Sequence, residues 1–355
     1  MIQSQKKTRI EWLDAMRGFT MILVVMFHVS TQSFCQLDNS SSSTPFLLLF
    51  RMLLFFFVSG FLVYKPTFEW SIKKYISLVA KKVRIQLLPT IIFFILCVSI
   101  RHENIFVTMV EFLSTPAKGG YWFTWSLLHL FLFYYTIQIV LNKFSKSRKI
   151  KWDTVFIIFW CIAVLLYFML FMPSKFNFNT PFWDYSSLTQ TIKYLQFFIV
   201  GILARHYWGQ IENIFDSKNF SLFIIIISVV CSLECLKFHN FSLPVEHVIR
   251  LVAIYSLVII VLMFFRFYKD SFSRNTIIGQ SLQYIGTRTL DIYLIHFILL
   301  PVLPSIGSFL SLYRPNFLLE IVLSLLVSLI VIGGCLIISN ILRVSPILSK
   351  YLFGR

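Results

Sequence analysis

The sequence predicts an all-α, polytopic membrane protein of about ten transmembrane helices with both termini cytoplasmic, and three observations predict it. The composition is too apolar for a soluble domain. Of 355 residues, 57% are hydrophobic and 13% charged, with a mean hydropathy of +0.78, whereas soluble domains carry about 25% charged residues. Apolar segments long enough to cross a bilayer, about 20 residues each, recur from end to end. Between them, basic residues are alternately dense and sparse, the pattern that membrane sidedness produces.

The apolar segments lie at 18–37, 46–64, 86–102, 121–141, 154–172, 189–207, 220–236, 247–267, 281–303 and 317–342, and the stretch 103–120 adds an interfacial piece. With the N-terminus inside, one side collects Lys6, Lys7, Arg9 and Arg17, the basic residues of 65–84 and 143–151, Arg205, Lys218, Arg266, Lys269, Arg274, Arg343, Lys350 and Arg355. The other side holds Arg101, Lys118, Lys175, Lys237 and Arg314. An extra or missing helix would scramble that bias. The stretch KPTFEWSIKKYISLVAKKVR, 65–84, reads as a basic amphipathic surface helix, and the first outer loop TQSFCQLDNSSSSTP is polar without a basic residue.

A net charge of +17 invites a nucleic-acid reading, but its placement between apolar spans follows membrane topology, so no nucleic-acid partner is expected. Five of the six cysteines, all but Cys35, fall inside apolar runs and give no disulfide framework. Cys231 and Cys235 are one helical turn apart, yet no third ligand has matching spacing, so no metal site is expected. Lys6, Lys7 and Arg9 before an apolar run imitate a signal peptide. No small-residue cleavage site follows, which makes the first span an uncleaved helix. A single membrane domain is expected over 1–355.

Ionisable groups inside spans are costly and mark cavities or partners. In WLDAMRGFTMILVVMFH, Arg17 and His28 are eleven residues apart, roughly 16 Å of helical rise and about 20° around the axis. They share a face, with Arg17 at the rim and His28 near the midplane. Asp14 lies one turn from Arg17 and is expected to pair with it. Separately, Arg17 could be a topology anchor and His28 a packing residue; together on one stripe they point to a tunnel, with an anion held at its mouth and proton chemistry at its far end.

LFRMLLFFFVSGFLVY carries Ser59 and Gly60, small enough for a helix or a ligand to approach, and Arg51, a charge within a span that needs either a helix partner or a substrate. KKVRIQLLP supplies Lys81, Lys82 and Arg84, which with Lys73 and Lys74 form a phosphate-binding patch or ordinary positive-inside anchors. GGYWFTWSLLHLFLFYY places Trp122 and Trp125 at the outer interface, as an aromatic belt or as acceptor-cavity residues, with His129, a further cavity candidate, about one turn further in. GTRTLDIYLIH brings Arg288 and Asp291 to pairing distance, with Tyr293 and His296 deeper.

Four of these five motifs, in this order on a ten-span profile, resemble the membrane-bound acyltransferase family 3, the integral-membrane O-acyltransferases of bacterial surface glycans. The resemblance covers essentially the whole chain and rests on Arg17 and His28 with their spacing, on LFFFVSGFL, on KKVRIQLLP and on IYLIH. There are departures. The paired-arginine motif before helix three reads Lys81-Lys82-Val83-Arg84, so its first member is a lysine, which keeps the charge and loses bidentate phosphate geometry. Leu53 and Leu54 stand where a proline is frequent. The extracytoplasmic esterase-like domain of some members has no counterpart, so transfer is expected within the membrane domain or with a separate partner.

The resemblance implies an acyl-CoA donor, acetyl-CoA in the first instance, that is bound as substrate with no resident cofactor, and an acceptor hydroxyl on a cell-surface or lipid-linked glycan. It implies a multi-pass place in the bacterial cytoplasmic membrane. Arg17, Lys81 and Arg84 would hold the CoA phosphates, and Asp14 would orient Arg17. His28 would serve as base or as acyl relay, while Arg288, Asp291, Tyr293 and His296 would line or brace the cavity. The alternative within the same family is a polysaccharide exporter, for which Glu234 and Asp291 are the candidate coupling carboxylates.

Overall fold

The computed structural model describes residues 9–36, 41–145, 151–170, 180–236, 243–313 and 315–353, all helix, turn or loop. Lys6, Lys7, Lys146, Arg148, Lys149, Lys175, Lys237, Arg314 and Arg355 of the sidedness count, and the middle of the first polar loop, lie outside the described residues. The helices are α1 (Glu11–His28), continued by a π-helical turn Val29–Ser33, α2 (Thr44–Val63), α3 (Ile72–Ile100), α4 (Ile105–Ser114), α5 (Trp122–Ser145), α6 (Trp152–Leu170), α7 (Pro181–Ser186) and α8 (Leu188–His206). They continue as α9 (Trp208–Phe215), α10 (Lys218–Leu236), α11 (Leu243–Phe267), α12 (Ile277–Thr287), α13 (Thr289–Leu299), α14 (Pro304–Leu312), α15 (Phe317–Val344) and α16 (Pro346–Phe353).

Eight of the described helices are long and apolar enough to cross a bilayer, nine if α13 and α14 count as one broken span. The remaining expected span, 189–207, forms α8. Its Thr191 and Gln196 are buried, because α8 packs among α2, α5 and α6. Helix α1 is the central element, buried along most of its length and packed on α2, α11, α12, α13 and α15.

Two helix crossings are closed by glycine. A Cβ on Gly60 would run into the Phe198 carbonyl of α8, and one on Gly201 of α8 into the Phe57 carbonyl of α2. Gly18 and Gly286 make the same reciprocal contact between α1 and α12, against the carbonyls of Leu282 and Asp14. Small residues at such crossings let backbones approach closely in lipid, where no hydrophobic force drives helices together.

Two expected boundaries move. The basic stretch 65–84 is not a separate surface helix from Ile72 onward; it is the first half of the 29-residue α3, which begins at a Ser71 cap accepting from the Lys74 N–H. The expected span 281–303 is divided at Arg288 into α12 and α13, and α13 turns by 89° into α14 across the Pro301 to Pro304 stretch. Proline supplies no N–H to continue a helix.

Candidate active site

The bundle is hollow at the end where α1 and α3 begin and α2 finishes. A cavity of about 430 Å³ opens there, lined at its mouth by Arg17, Lys65, Lys81 and Lys82 and deeper by Ser59, Phe55, Phe123, Thr124, Thr289 and Tyr293. Its lining holds four cations and no carboxylate. Helical geometry decides which basic residues reach it. Leu78, Lys81, Lys82, Ile85 and Gln86 of α3 share the cavity face, while Lys73, Lys74 and Arg84 are exposed elsewhere on the helix and Lys74 pairs with Glu69 at 3.4 Å. Lys82 sets its ammonium 3.4 Å from the ring centre of Phe131, an arrangement in which the ring face offsets part of the desolvation of the charge.

Arg17 is held from two sides. Its guanidinium donates to Asp14 Oδ1 at 3.2 Å and to Thr289 Oγ1 at 3.1 Å, and Asp14 also pairs with Arg9. Eleven residues along α1, His28 lies against α13: its ring centre is 5.1 Å from that of His296 and 4.9 Å from that of Phe297. Arg17 and His28 thus face the same partner helix, at Thr289 and at His296. The π-helical turn follows directly after His28, a local irregularity frequent at functional sites. It brings the Gln32 amide nitrogen, a donor, to 3.2 Å from His28 Nδ1, which accepts.

His296 is fully buried. Its Nδ1 donates to the carbonyls of Ile292 and Tyr293 at 3.1 and 2.8 Å, and Nε2 has no hydrogen-bond partner among the described residues. Tyr293, at the inner end of the cavity, donates to the Gly120 carbonyl at 2.8 Å and accepts from the Phe123 N–H at 3.3 Å. Gly120, at φ 93°, follows Lys118 and Gly119, also at positive φ. A Cβ on Gly120 would meet the Phe297 ring, so both its conformation and its neighbour require glycine. Lys118 fixes this turn by donating to the carbonyls of Leu113, Thr115 and Asp184.

Beyond this layer of Tyr293, His28, His296 and Phe297 lies a second cavity of about 310 Å³, at the opposite end of α3. Gln32, Cys97, Arg101, Glu103, Thr108, Gly119, Gly120, Tyr121 and Phe297 are among its walls. Gln32 and Phe297 touch His28 from this side, and Tyr293 closes the first cavity from the other.

The remaining expected residues settle as follows. Arg51 is buried, with its guanidinium 3.5 Å from the ring centre of Phe27. Trp122 stacks on Tyr194 at 5.2 Å inside the bundle. Trp125 is within 5.8 Å of the Lys118 ammonium. His129 is paired with Thr191 at 3.1 Å. Arg288 and Asp291 do pair, at 3.5 Å, but Arg343 of α15 binds Asp291 more closely, at 2.7 Å, and Ser339 donates to it at 2.6 Å. This cluster braces α13 against α15 and does not line the cavity. Sequence reasoning missed Lys65 and Arg343, each a basic residue just past or near the end of an apolar run, and it missed Gln32 altogether. No group of three or more His, Cys, Asp or Glu side chains that could hold a metal forms among the described residues.

The multi-pass bundle sets a cation-lined cavity ending at Tyr293 next to the layer in which His28 and His296 lie together. The chain matches the acyltransferase domain family over residues 10–340, from the start of α1 to near the end of α15. It belongs to this family, acyltransferase family 3, and is a membrane acyltransferase. No curated protein and no solved structure matches it.

Proposed function

We propose that the protein transfers an acyl group, acetyl in the first instance, from acyl-CoA to a hydroxyl of a cell-surface or lipid-linked glycan, in the cytoplasmic membrane of a bacterium. The observation that carries this reading is the one-signed lining of the first cavity: four cations and an apolar, aromatic wall that includes Phe55, Phe123 and Tyr293. Its volume lies within the range of small-molecule sites, about 300–1,000 Å³. CoA has the matching polarity, with a polyanionic nucleotide at one end and a thioester at the end of a long thin arm. Arg17, Lys65, Lys81 and Lys82 take the phosphates at the cytoplasmic mouth. The arm follows α1 over the roughly 16 Å of rise from Arg17 to His28.

At the far end His28 acts in one of two balanced ways. As general base it takes the acceptor hydroxyl's proton while oxygen bonds to the acyl carbon, the carbon–sulfur bond breaks, and the thiolate recovers the proton. As relay it takes the acyl group on nitrogen, releases the thiol, and yields the acyl group to the hydroxyl in a second step. Trapping of a labelled acyl-enzyme by rapid quench separates the two.

The exporter alternative requires a carboxylate free to load and release an ion. Of its two candidates, Asp291 is held by Arg343, Arg288 and Ser339, which disfavours that role for Asp291 and leaves it to Glu234. The deciding experiment measures consumption of labelled acetyl-CoA by membranes carrying wild type, His28→Ala and Arg17→Ala at matched expression. Transfer by wild type, none by His28→Ala, and a raised donor KM in Arg17→Ala are expected. Full activity in His28→Ala would overturn the mechanism. Failure of wild type to consume any acyl-CoA with glycan acceptors supplied would favour export.

A further inference from the structure

The second cavity differs from the first in charge, and the difference has a chemical meaning. The first cavity's lining holds four cations and no acid among the described residues, with Asp14 behind it paired to Arg17; the second carries one of each, Arg101 and Glu103, with Gln32 and Thr108 as neutral polar groups. A site with balanced charge repels no neutral ligand and offers no net attraction to an anion. Its polar rim stands over an aromatic floor, where Tyr121 and Phe297 are 1% and 5% exposed and 5.1 Å apart at their ring centres.

The rim is built, not incidental. At the end of α3, His102 takes a positive φ of 56°, and the turn brings both Arg101 and Glu103 to the mouth. The Arg101 guanidinium reaches the Phe297 carbonyl at 3.4 Å. Asn104 caps α4 by accepting from the N–H groups of Phe106 and Val107, which fixes Thr108 one turn along. Gln32 joins this cavity to His28.

We propose that this second cavity is the acceptor site and that it selects one neutral, hydroxyl-rich ring, a single uncharged pyranose unit, with Glu103 discriminating against anionic sugars. The inference rests on the acyl-transfer reading. The floor stacks on the apolar face of the ring, while Arg101, Glu103 and Thr108 share hydrogen bonds with its hydroxyls. At about 310 Å³ the cavity is at the lower end of ligand-site volumes, about 300 Å³, which suits one ring and leaves the rest of a glycan outside. One ring hydroxyl then lies toward Gln32 and His28. In the transfer its O–H bond breaks, oxygen bonds to the acyl carbon, and the proton passes to the imidazole and on to the departing thiolate.

The test uses the full chain in lipid nanodiscs, where both faces are accessible. Thr108→Cys is treated with a methanethiosulfonate reagent, and modification is followed by mass on the peptide carrying residue 108. The native Cys97, in the same wall, is the reporter in the wild-type chain should that variant not fold. The probes are methyl glycosides of glucose, galactose and N-acetylglucosamine, methyl glucuronide, and inorganic phosphate, each at millimolar concentration. At least one neutral glycoside is expected to slow labelling severalfold, and glucuronide and phosphate are expected not to. In Glu103→Gln, Arg101 is left as the net charge, and methyl glucuronide is expected to begin protecting. Protection by no neutral glycoside, or by charged probes alone in wild type, overturns the proposal.

Acetyl-CoA consumption by the same wild-type nanodiscs keeps the two readings apart. Protection without donor consumption leaves the saccharide site standing and removes acyl transfer. Donor consumption without protection removes the acceptor site alone.

Discussion

At the scale of single residues, Arg17 and His28 were legible because one helix carries both, and helical geometry fixes their relation whatever the rest of the fold does. Asp14 was legible for the same reason, three residues from Arg17. Its contribution can be measured: Asp14→Asn keeps the shape and removes the charge that orients the guanidinium. A charge-assisted hydrogen bond contributes about 1.5–3 kcal/mol, so the donor KM should rise by about tenfold or more while kcat changes little. Steady-state kinetics at varied acyl-CoA checks this, and a fall in kcat at constant KM would place Asp14 in the chemical step instead. The unpartnered Nε2 of His296 was not legible, because it depends on two backbone carbonyls fixing the other ring nitrogen. Nor was Gln32, whose approach to His28 depends on the π-helical turn.

At the scale of elements, the apolar runs located most helices, and the misjudged ones have local causes. The basic half of α3 reads as a surface helix because its polar residues are dense, yet Lys81 and Lys82 line the first cavity while Lys73, Lys74 and Arg84 stay exposed. The division of 281–303 at Arg288 follows from packing, since α12 must bring Gly286 against the backbone of α1 at Asp14. The glycine crossings give a stability prediction. Gly60→Leu overfills the α2–α8 contact and should cost about 1–3 kcal/mol or more. Gly209→Ala, on α9 with nothing near its Cβ position, should be neutral or stabilise by about 0.4–1 kcal/mol. Thermal unfolding of the two variants in the same detergent compares them; an unchanged melting temperature for Gly60→Leu would show that the helices separate freely there.

At the scale of the whole molecule, the two cavities differ in charge. Composition showed that the protein is basic and apolar, but not that one cavity gathers four cations from α1, the α2–α3 loop and α3 while the other holds a balanced pair. That arrangement needs residues as distant as Arg101 and Phe297, or Gly120 and Tyr293, brought together, and no spacing in the sequence encodes it. On the proposed assignment the two substrates should respond differently to salt. Raising ionic strength from about 0.01 M to about 1 M shortens the Debye length from about 30 Å to about 3 Å. The KM for acyl-CoA should rise severalfold across that range and the KM for a neutral acceptor should stay nearly constant. Parallel shifts in both would mean that the second cavity also binds an anion.

The layer of Tyr293, His28, His296 and Phe297 between the two cavities has an electrical consequence. Each elementary charge carried across a bilayer exchanges about 2.3 kcal/mol with every 100 mV of membrane potential. A carrier that moved the entire thioester through would therefore couple each turnover to the cell's voltage through every charge on the nucleotide. On the acyl-transfer reading proposed above, with the thioester kept on one side of that layer, only the uncharged acyl fragment changes compartments. Acylation of the outer substrate is then expected to run on the free energy of the thioester, at a rate indifferent to whether the membrane is energised.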